Sequence, residues 1–345
     1  MENKKLITFA VPSYNSAAYM ENCINTLLSG GDEVEIIIVN DGSKDNTGEI
    51  ADRYAAEYPN IVKVIHQENG GHGEGVNQGI RNATGLYYKV VDSDDKLDTD
   101  ALKTLMDTMK EHISNGCEAD LYIVNFVYDK VYENKRFVRD YKKRIKANEF
   151  IEWETFKRFK TSEMMLMHSL VYKTEVLRAS NTVLPKHTFY VDNIFSYKPL
   201  PYCKRIFYLD INMYLYFIGR ADQSVTLENI TKRYEQQIRV IKEMVDAYSY
   251  EEIKKQPEGL RKYMFHSLSV IMMLTQMFTS NGKEKKKRKQ DLKDLWKYIK
   301  NSDKKIYRQL RHRSYNTLCC WMPFPLLRFV TMVGYKYYAK TLNCS

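Results

Sequence analysis

The chain has 345 residues, 44% hydrophobic and 28% charged, a balance ordinary for a globular protein, so disorder is not the expectation. Lys and Arg outnumber Asp and Glu by 53 to 43, a net charge of +10, and residues 283 to 289 form the dense basic run KEKKKRK. Such a run suits an anionic partner or a solvated helix face.

In chain order, LITFAV (6–11) is a continuous apolar run, as expected of a strand buried on both faces. Residues 17–29 follow with helical spacing and stop at Gly30-Gly31. VEIIIVN (34–40) is a second strand, 45–58 a helix that ends before Pro59, and IVKVIHQ (61–67) a third strand. GEGVNQGIRNA (73–83) is a short helix after a glycine-rich turn, and LYYKVV (86–91) is a fourth strand. Residues 98–113 form a helix with Asp98, Thr99 or Asp100 as its cap, and 121–132 is another strong strand. The pattern then loosens, and from about residue 230 it is helical. The expected fold is α/β: a mostly parallel sheet flanked by helices in domain 1–228, followed by a helical region, 229–345.

Ligands of parallel sheets sit at the carboxyl ends of the strands. Three segments fall there: PSYNS after the first strand, NDGSKDN after the second and DSDD after the fourth. Asp92, Asp94 and Asp95 would repel one another at a strand end unless something cationic held them. Hard oxygen ligands so placed suit Mg²⁺ or Mn²⁺ beside a phosphate; the plainer alternative is a cap on the next helix. Asp41 precedes Gly42-Ser43, a turn expected to leave its carboxylate exposed for a base or a ribose hydroxyl. NGGHGEGVNQG departs from G-x-G-x-x-G and does not follow the first strand, which disfavours a dinucleotide site.

Taken in order, FAVPSYNSAAYMENCINTLL, EIIIVNDGSKDNT, NGGHGEGVNQGIRNATGLYYKVVDSDDKLD and TFYVDNIFSYKPL resemble the motifs of family 2 inverting glycosyltransferases with the Rossmann-like GT-A fold, over roughly residues 5–226. The resemblance implies a UDP-sugar donor and a divalent cation, Mn²⁺ or Mg²⁺. It implies that Pro12, Tyr14 and Asn15 border the nucleotide and that Asp41 contacts uracil or ribose. Asp92, Asp94 and Asp95 match its metal motif, with Ser93 beside the donor; how they divide metal and ribose contacts stays open. Asp192 in YVDNIF aligns with the family's general base, although Val191 replaces the usual Glu; Asp210 is the second candidate. Arg220, with Gln223 and Ser224, would face the diphosphate, and His72 the nucleotide or its phosphates. The implied acceptor is a hydroxyl of a polysaccharide or lipid-linked glycan.

Two other classes share single features. A nucleotidyltransferase also uses paired carboxylates, but PSYNS is not its basic glycine-rich loop. A nucleic-acid binder would use the basic run, which has no interleaved aromatics, so no nucleic acid is expected. The six cysteines have no CxxC or zinc spacing, the N-terminal apolar run is too short for a signal peptide, and no stretch is long enough to span a membrane. A cytoplasmic protein is expected. The segment LCCWMPFPLLRFVTMVGYKYYAK (318–340) mixes Trp321, Phe324, Leu326, Leu327, Phe329 and Val330 with basic residues. It suits either peripheral contact with an anionic membrane at its inner face or an ordinary terminal helix.

Overall fold

The alternating N-terminal pattern folds as strand and helix in turn. The computed structural model describes residues 5–219, 227–314 and 316–341. Its first unit comprises residues 1–157 and 165–219. It contains β1 (Ile7–Ser13), α1 (Met20–Leu28), β2 (Val34–Asn40), α2 (Thr47–Glu57), β3 (Val62–His66), α3 (His72–Asn82), β4 (Tyr87–Val90), β5 (Lys96–Leu97) and α4 (Thr99–Ser114). After these come β6 (Leu121–Lys130), β7 (Lys135–Arg139), β8 (Glu149–Ile151), β9 (Leu170–Lys173), α5 (Thr174–Ala179), α6 (Asp192–Tyr197) and β10 (Ile206–Phe217).

Every residue of β1 and β2 is buried, which accounts for their largely apolar sequences. Asp98 caps α4, its side chain accepting from the Ala101 N–H at 3.0 Å. The strands form one sheet in the order β3-β2-β1-β4-β9-β6-β10-β5, with β7 on β6 and β8 on β10. β3, β2, β1 and β4 run parallel, as do β6 and β10. β9 inserts antiparallel between β4 and β6, so the sheet is mixed. β10 shifts register against β6 between Tyr208 and Tyr214, and this bend carries its far end to the carboxyl end of β4.

One buried ionic network ties the parallel half together. The Glu35 carboxylate on β2 is 1% exposed. It accepts from Thr8 Oγ1 on β1 (2.6 Å), Lys63 Nζ on β3 (2.6 Å), and the N–H and Oγ1 of Thr84 before β4 (2.7 and 2.9 Å).

The second unit comprises residues 158–164 and 220–345. Its helices are α7 (Leu227–Lys232), α8 (Tyr234–Asp246), α9 (Tyr250–Lys255), α10 (Glu258–Ser280), α11 (Lys285–Ser302), α12 (Lys304–His312), α13 (Asn316–Trp321) and α14 (Phe324–Thr341). The periodicity predicts a boundary near residue 228, whereas the units divide after Gly219 and Arg158–Met164 belongs to the helical one. Part of the basic run is internal to that unit. Arg288 is buried, lies 3.9 Å over the Tyr234 ring and donates to the carbonyls of Thr231 and Phe278; Lys287 pairs with Glu235. None of the described helices is long and apolar enough to cross a membrane.

Glu35→Ala should cost about 1–3 kcal/mol in chemical denaturation, because it leaves the buried Thr8 hydroxyl without its acceptor, while the half-exposed Lys63 returns to water. Burial opposes that charge, but Lys63, Thr8 and Thr84 overcome it and hold the Glu35 pKa below the ordinary carboxylate value. A depressed folded-state pKa means stability that is present at neutral pH and is lost as pH falls through that pKa. Glu35→Gln should therefore flatten the acid limb of the stability–pH curve; an unchanged limb would remove Glu35 from the account.

Candidate active site

β4 delivers the acidic cluster. The parallel ladder continues through the Val91 N–H to Ala10 C=O bond, and the chain then turns, with the Asp95 N–H donating to the Asp92 carbonyl at 2.9 Å. Asp92 Oδ1 lies 2.7 Å from His72 Nε2, at the start of α3, and its Oδ2 lies 3.8 Å from His168 Nε2, just before β9. Asp95 is 2% exposed and points towards β10. The Tyr214 hydroxyl donates to its Oδ2 at 2.6 Å and the Phe217 N–H to its Oδ1 at 2.7 Å. The same Tyr214 oxygen accepts the Asp92 N–H at 3.1 Å. Ser93 Oγ meets Ser16 Oγ at 2.7 Å, which fixes the turn against the loop after β1. Asp94 is half-buried.

A buried cation balances the cluster. Lys89 on β4 is 0% exposed; its Nζ donates to the His168 carbonyl at 2.6 Å and lies 5.0 Å from the Tyr214 ring centroid. Burial, against the pull of Asp92 and Asp95, lowers the Lys89 pKa to about 7. Burial works against the charge of Asp92 too, but His72, His168 and Lys89 hold its pKa below the carboxylate range. Asp95 goes the other way: burial, reinforced by Asp94 and Asp92, raises its pKa well above that range despite Tyr214 and Phe217.

The glycine-rich turn is a hub between chain segments. Asp41 is buried, which corrects the expectation of an exposed carboxylate. Its Oδ1 accepts from Gln67 Nε2 and the Gly70 N–H (2.6 and 2.7 Å), and its Oδ2 from the Gly71 N–H (2.8 Å). On the turn's other side sits the segment that leads to Asp192. The His187 N–H donates to the Gly70 carbonyl at 2.7 Å, and Asn77 on α3 exchanges two 2.9 Å bonds with the Leu184 backbone. A Cβ at Gly71 would stand 3.0 Å from His187 N, and Gly71 itself has a φ of +81°; a Cβ at Gly73 would stand 3.0 Å from the Pro185 carbonyl oxygen. Tyr190 is held at a φ of +65° two residues before Asp192. Asp192 opens α6, half-buried, within the electrostatic reach of His72 and Asp92. Burial raises its pKa to about 6, opposed by His72 and reinforced by Asp92. His72 is itself displaced: burial opposes its charge, but Asp92, Asp192 and Asp94 raise its pKa.

Of the other expected residues, Pro12 is buried on β1 and Tyr14 is half exposed just beyond it. Asn15, at a φ of +50°, ties the loops after β1 and β2: its Oδ1 accepts the Lys44 N–H at 2.8 Å and its own N–H donates to Ser43 Oγ at 3.0 Å. Asp210, the second candidate base, is inside β10, accepting from Asn125 Nδ2 and paired with Lys142. Arg220, Gln223 and Ser224 lie outside the described residues. Lys89, His168 and Tyr214 were not predicted. Lys89 had a signal, a lysine in the middle of an apolar strand, whereas His168 had none.

Asp92, Asp95 and His168 each offer a ligand atom, and these atoms lie within 4.8 Å of one another. The set fits a divalent cation. Burial, against Asp92, lowers the His168 pKa to about 4, so the ring is a neutral donor near pH 7. Its Nδ1 is buried without a partner.

The family model described as Glycosyl transferase family 2 matches residues 8–172. This stretch holds β2 to β8, most of β1 and of β9, and the acidic cluster, and it resembles a family 2 glycosyltransferase domain; the fold is GT-A. The chain is 40% identical over 124 residues to Glycosyltransferase GlyG of Streptococcus pneumoniae serotype 4, which is 35% of this chain and 39% of that protein. It therefore spans well under half the length of the curated relative. Among solved structures, S. aureus TarS 1-349 in complex with UDP-GlcNAc superposes with a TM-score of 0.55 at 19% identity, over 90% of this chain and 93% of that one. The mannosyltransferase PcManGT from Pyrobaculum calidifontis, in complex with GDP-Man and Mn²⁺, gives 0.51 at 15% identity, over 98% and 86%. At these identities the likeness is one of fold. The family match ends before Asp192, so that residue rests on the geometry of this chain.

Two outcomes follow from the charge balance. Lys89→Met should destabilise by about 1–3 kcal/mol, since it leaves the buried His168 carbonyl without its donor and removes a charge that favours ionised Asp92; a loss below about 0.5 kcal/mol would mean that neither needs Lys89. Mn²⁺ at a hundredfold excess over its Kd should add about 2.7 kcal/mol to stability. The resulting rise in melting temperature should vanish in EDTA and in His168→Ala.

Proposed function

We propose that this protein is an inverting glycosyltransferase that moves a sugar from a UDP-sugar to a hydroxyl of a polysaccharide or lipid-linked glycan. The observation that carries this reading is the cluster of Asp92, Asp95 and His168 ligand atoms at the end of β4, with Asp192, whose pKa burial raises to about 6, within the electrostatic reach of His72. A general base near neutral pH needs such a poise.

In this scheme Asp192 accepts the proton of the acceptor hydroxyl as its oxygen bonds to the anomeric carbon and the bond from that carbon to the diphosphate breaks. Attack opposite the leaving group inverts the configuration. Asp92, Asp95 and His168 would hold Mn²⁺ or Mg²⁺, which would neutralise the departing diphosphate. Asp94 would be left for the ribose, with Pro12, Tyr14 and Asn15 along the nucleotide. Asp41 would contact the uracil or the ribose through the acceptor capacity left on Oδ2, while the same carboxylate holds the turn at Gly70 and Gly71. The UDP-GlcNAc bound by TarS supports a UDP-sugar donor, and the Mn²⁺ bound by PcManGT supports the cation.

The test is a screen of UDP-glucose, UDP-galactose, UDP-GlcNAc and UDP-GalNAc for sugar release, with the first-formed anomer read by NMR. An α-linked donor should yield the β anomer. The rate should rise with pH through about 6, as Asp192 loses its proton. Asp192→Asn should lower it by about 10²–10⁴-fold at unchanged melting temperature. Retention of configuration, or full activity in Asp192→Asn, would contradict the scheme.

A further inference from the structure

The last two helices turn large apolar side chains to water. On α13, Leu318 and Trp321 are exposed, Trp321 by 73%. On α14, Leu326, Phe329 (67% exposed), Val330 and Val333 are exposed at i, i+3, i+4 and i+7, which makes one stripe along the helix. The adjoining side of α14 is what anchors it. Leu327 is buried, Thr331 Oγ1 meets Ser280 Oγ and Asn281 Nδ2 at 3.0 Å each, and Arg328 donates to the Gly282 carbonyl. The stripe therefore belongs to a docked helix. Isolated exposed apolar side chains are ordinary, but a row of six that includes Trp and Phe is not.

Charge indicates what covers it. Residues 304–345 contain eight Lys or Arg and no Asp or Glu. Lys304 and Arg308 on α12, and Arg313 just after it, are exposed. A second copy of the chain would bring two all-positive segments together with no acidic partner in either. An anionic lipid surface satisfies both features, since it accepts apolar side chains at the acyl boundary and cationic ones among its phosphates.

We propose that α13 and α14 form an interfacial membrane-binding element for anionic phospholipid. It lies in the plane of the surface, with Leu318, Trp321, Leu326, Phe329, Val330 and Val333 inserted and the neighbouring basic side chains on the headgroups. Leu327, grouped with these residues in the sequence, is excluded because it packs inward.

The experiment is flotation of the full chain with vesicles of phosphatidylcholine alone, or of phosphatidylcholine mixed with phosphatidylglycerol, without any sugar donor. The protein should float only with the mixed vesicles and be released by high salt. The double substitution Trp321→Ser with Phe329→Ser should weaken binding by at least about tenfold, and Arg308→Gln and Arg313→Gln by roughly fivefold each, all with unchanged circular dichroism melts. Three results would overturn the proposal: no flotation with phosphatidylglycerol, equal flotation by the serine variant, or an oligomer in light scattering that this variant dissociates, which would make the stripe an interface between copies. None of these readouts depends on catalysis.

Discussion

Three carboxylates within four positions at the end of a buried strand set the terms for the first unit. Asp92 and Asp95 cannot both be ionised there without help. The help comes from distant parts of the chain: Lys89 within β4, His72 at the start of α3, His168 before β9, and Tyr214 and Phe217 on β10. That dependence gives a physical reason for the mixed sheet. β9 has to enter between β4 and β6 to place His168, and β10 has to bend to place its far end over Asp95. The outcome is an uneven pair, with one carboxylate held ionised and one pushed towards its proton. Such a pair is poised to take up a divalent cation.

The second constraint is close backbone approach. Gly70 and Gly71 are gripped by Asp41 on one side and pressed against His187 on the other. The turn thus joins the ends of β2 and β4 to the segment that presents Asp192. The proposed base, at the start of a short helix reached through an irregular segment, needs such a rigid support if it is to hold its geometry. The strained φ of Tyr190 marks where the loop is forced into place.

Much of this was legible in the sequence. The elements from β1 to α4 follow from apolar periodicity, and the strand ends with their polar loops from the same pattern. The acidic cluster is visible as a violation, like charges set directly after an apolar strand. What stayed hidden depends on long-range pairing. His168 lies 76 residues beyond Asp92, in a stretch whose apolar residues follow no single period. β10 was missed because Asp210 and Asn212 interrupt its alternation at the point where its register shifts. The glycine-rich turn was legible as a turn, but the close approach of its backbone to the distant Pro185–His187 segment was not.

The proposed function requires the acidic cluster to be a metal-dependent site for a nucleoside diphosphate. Calorimetric titration of the wild-type chain with UDP, once with Mn²⁺ and once with EDTA, tests it most directly. Binding with Mn²⁺ that disappears in EDTA, and disappears again in Asp92→Asn with Mn²⁺ present, is the predicted result. UDP binding that is indifferent to EDTA, or intact in Asp92→Asn, would show that the carboxylates serve the fold and not the donor.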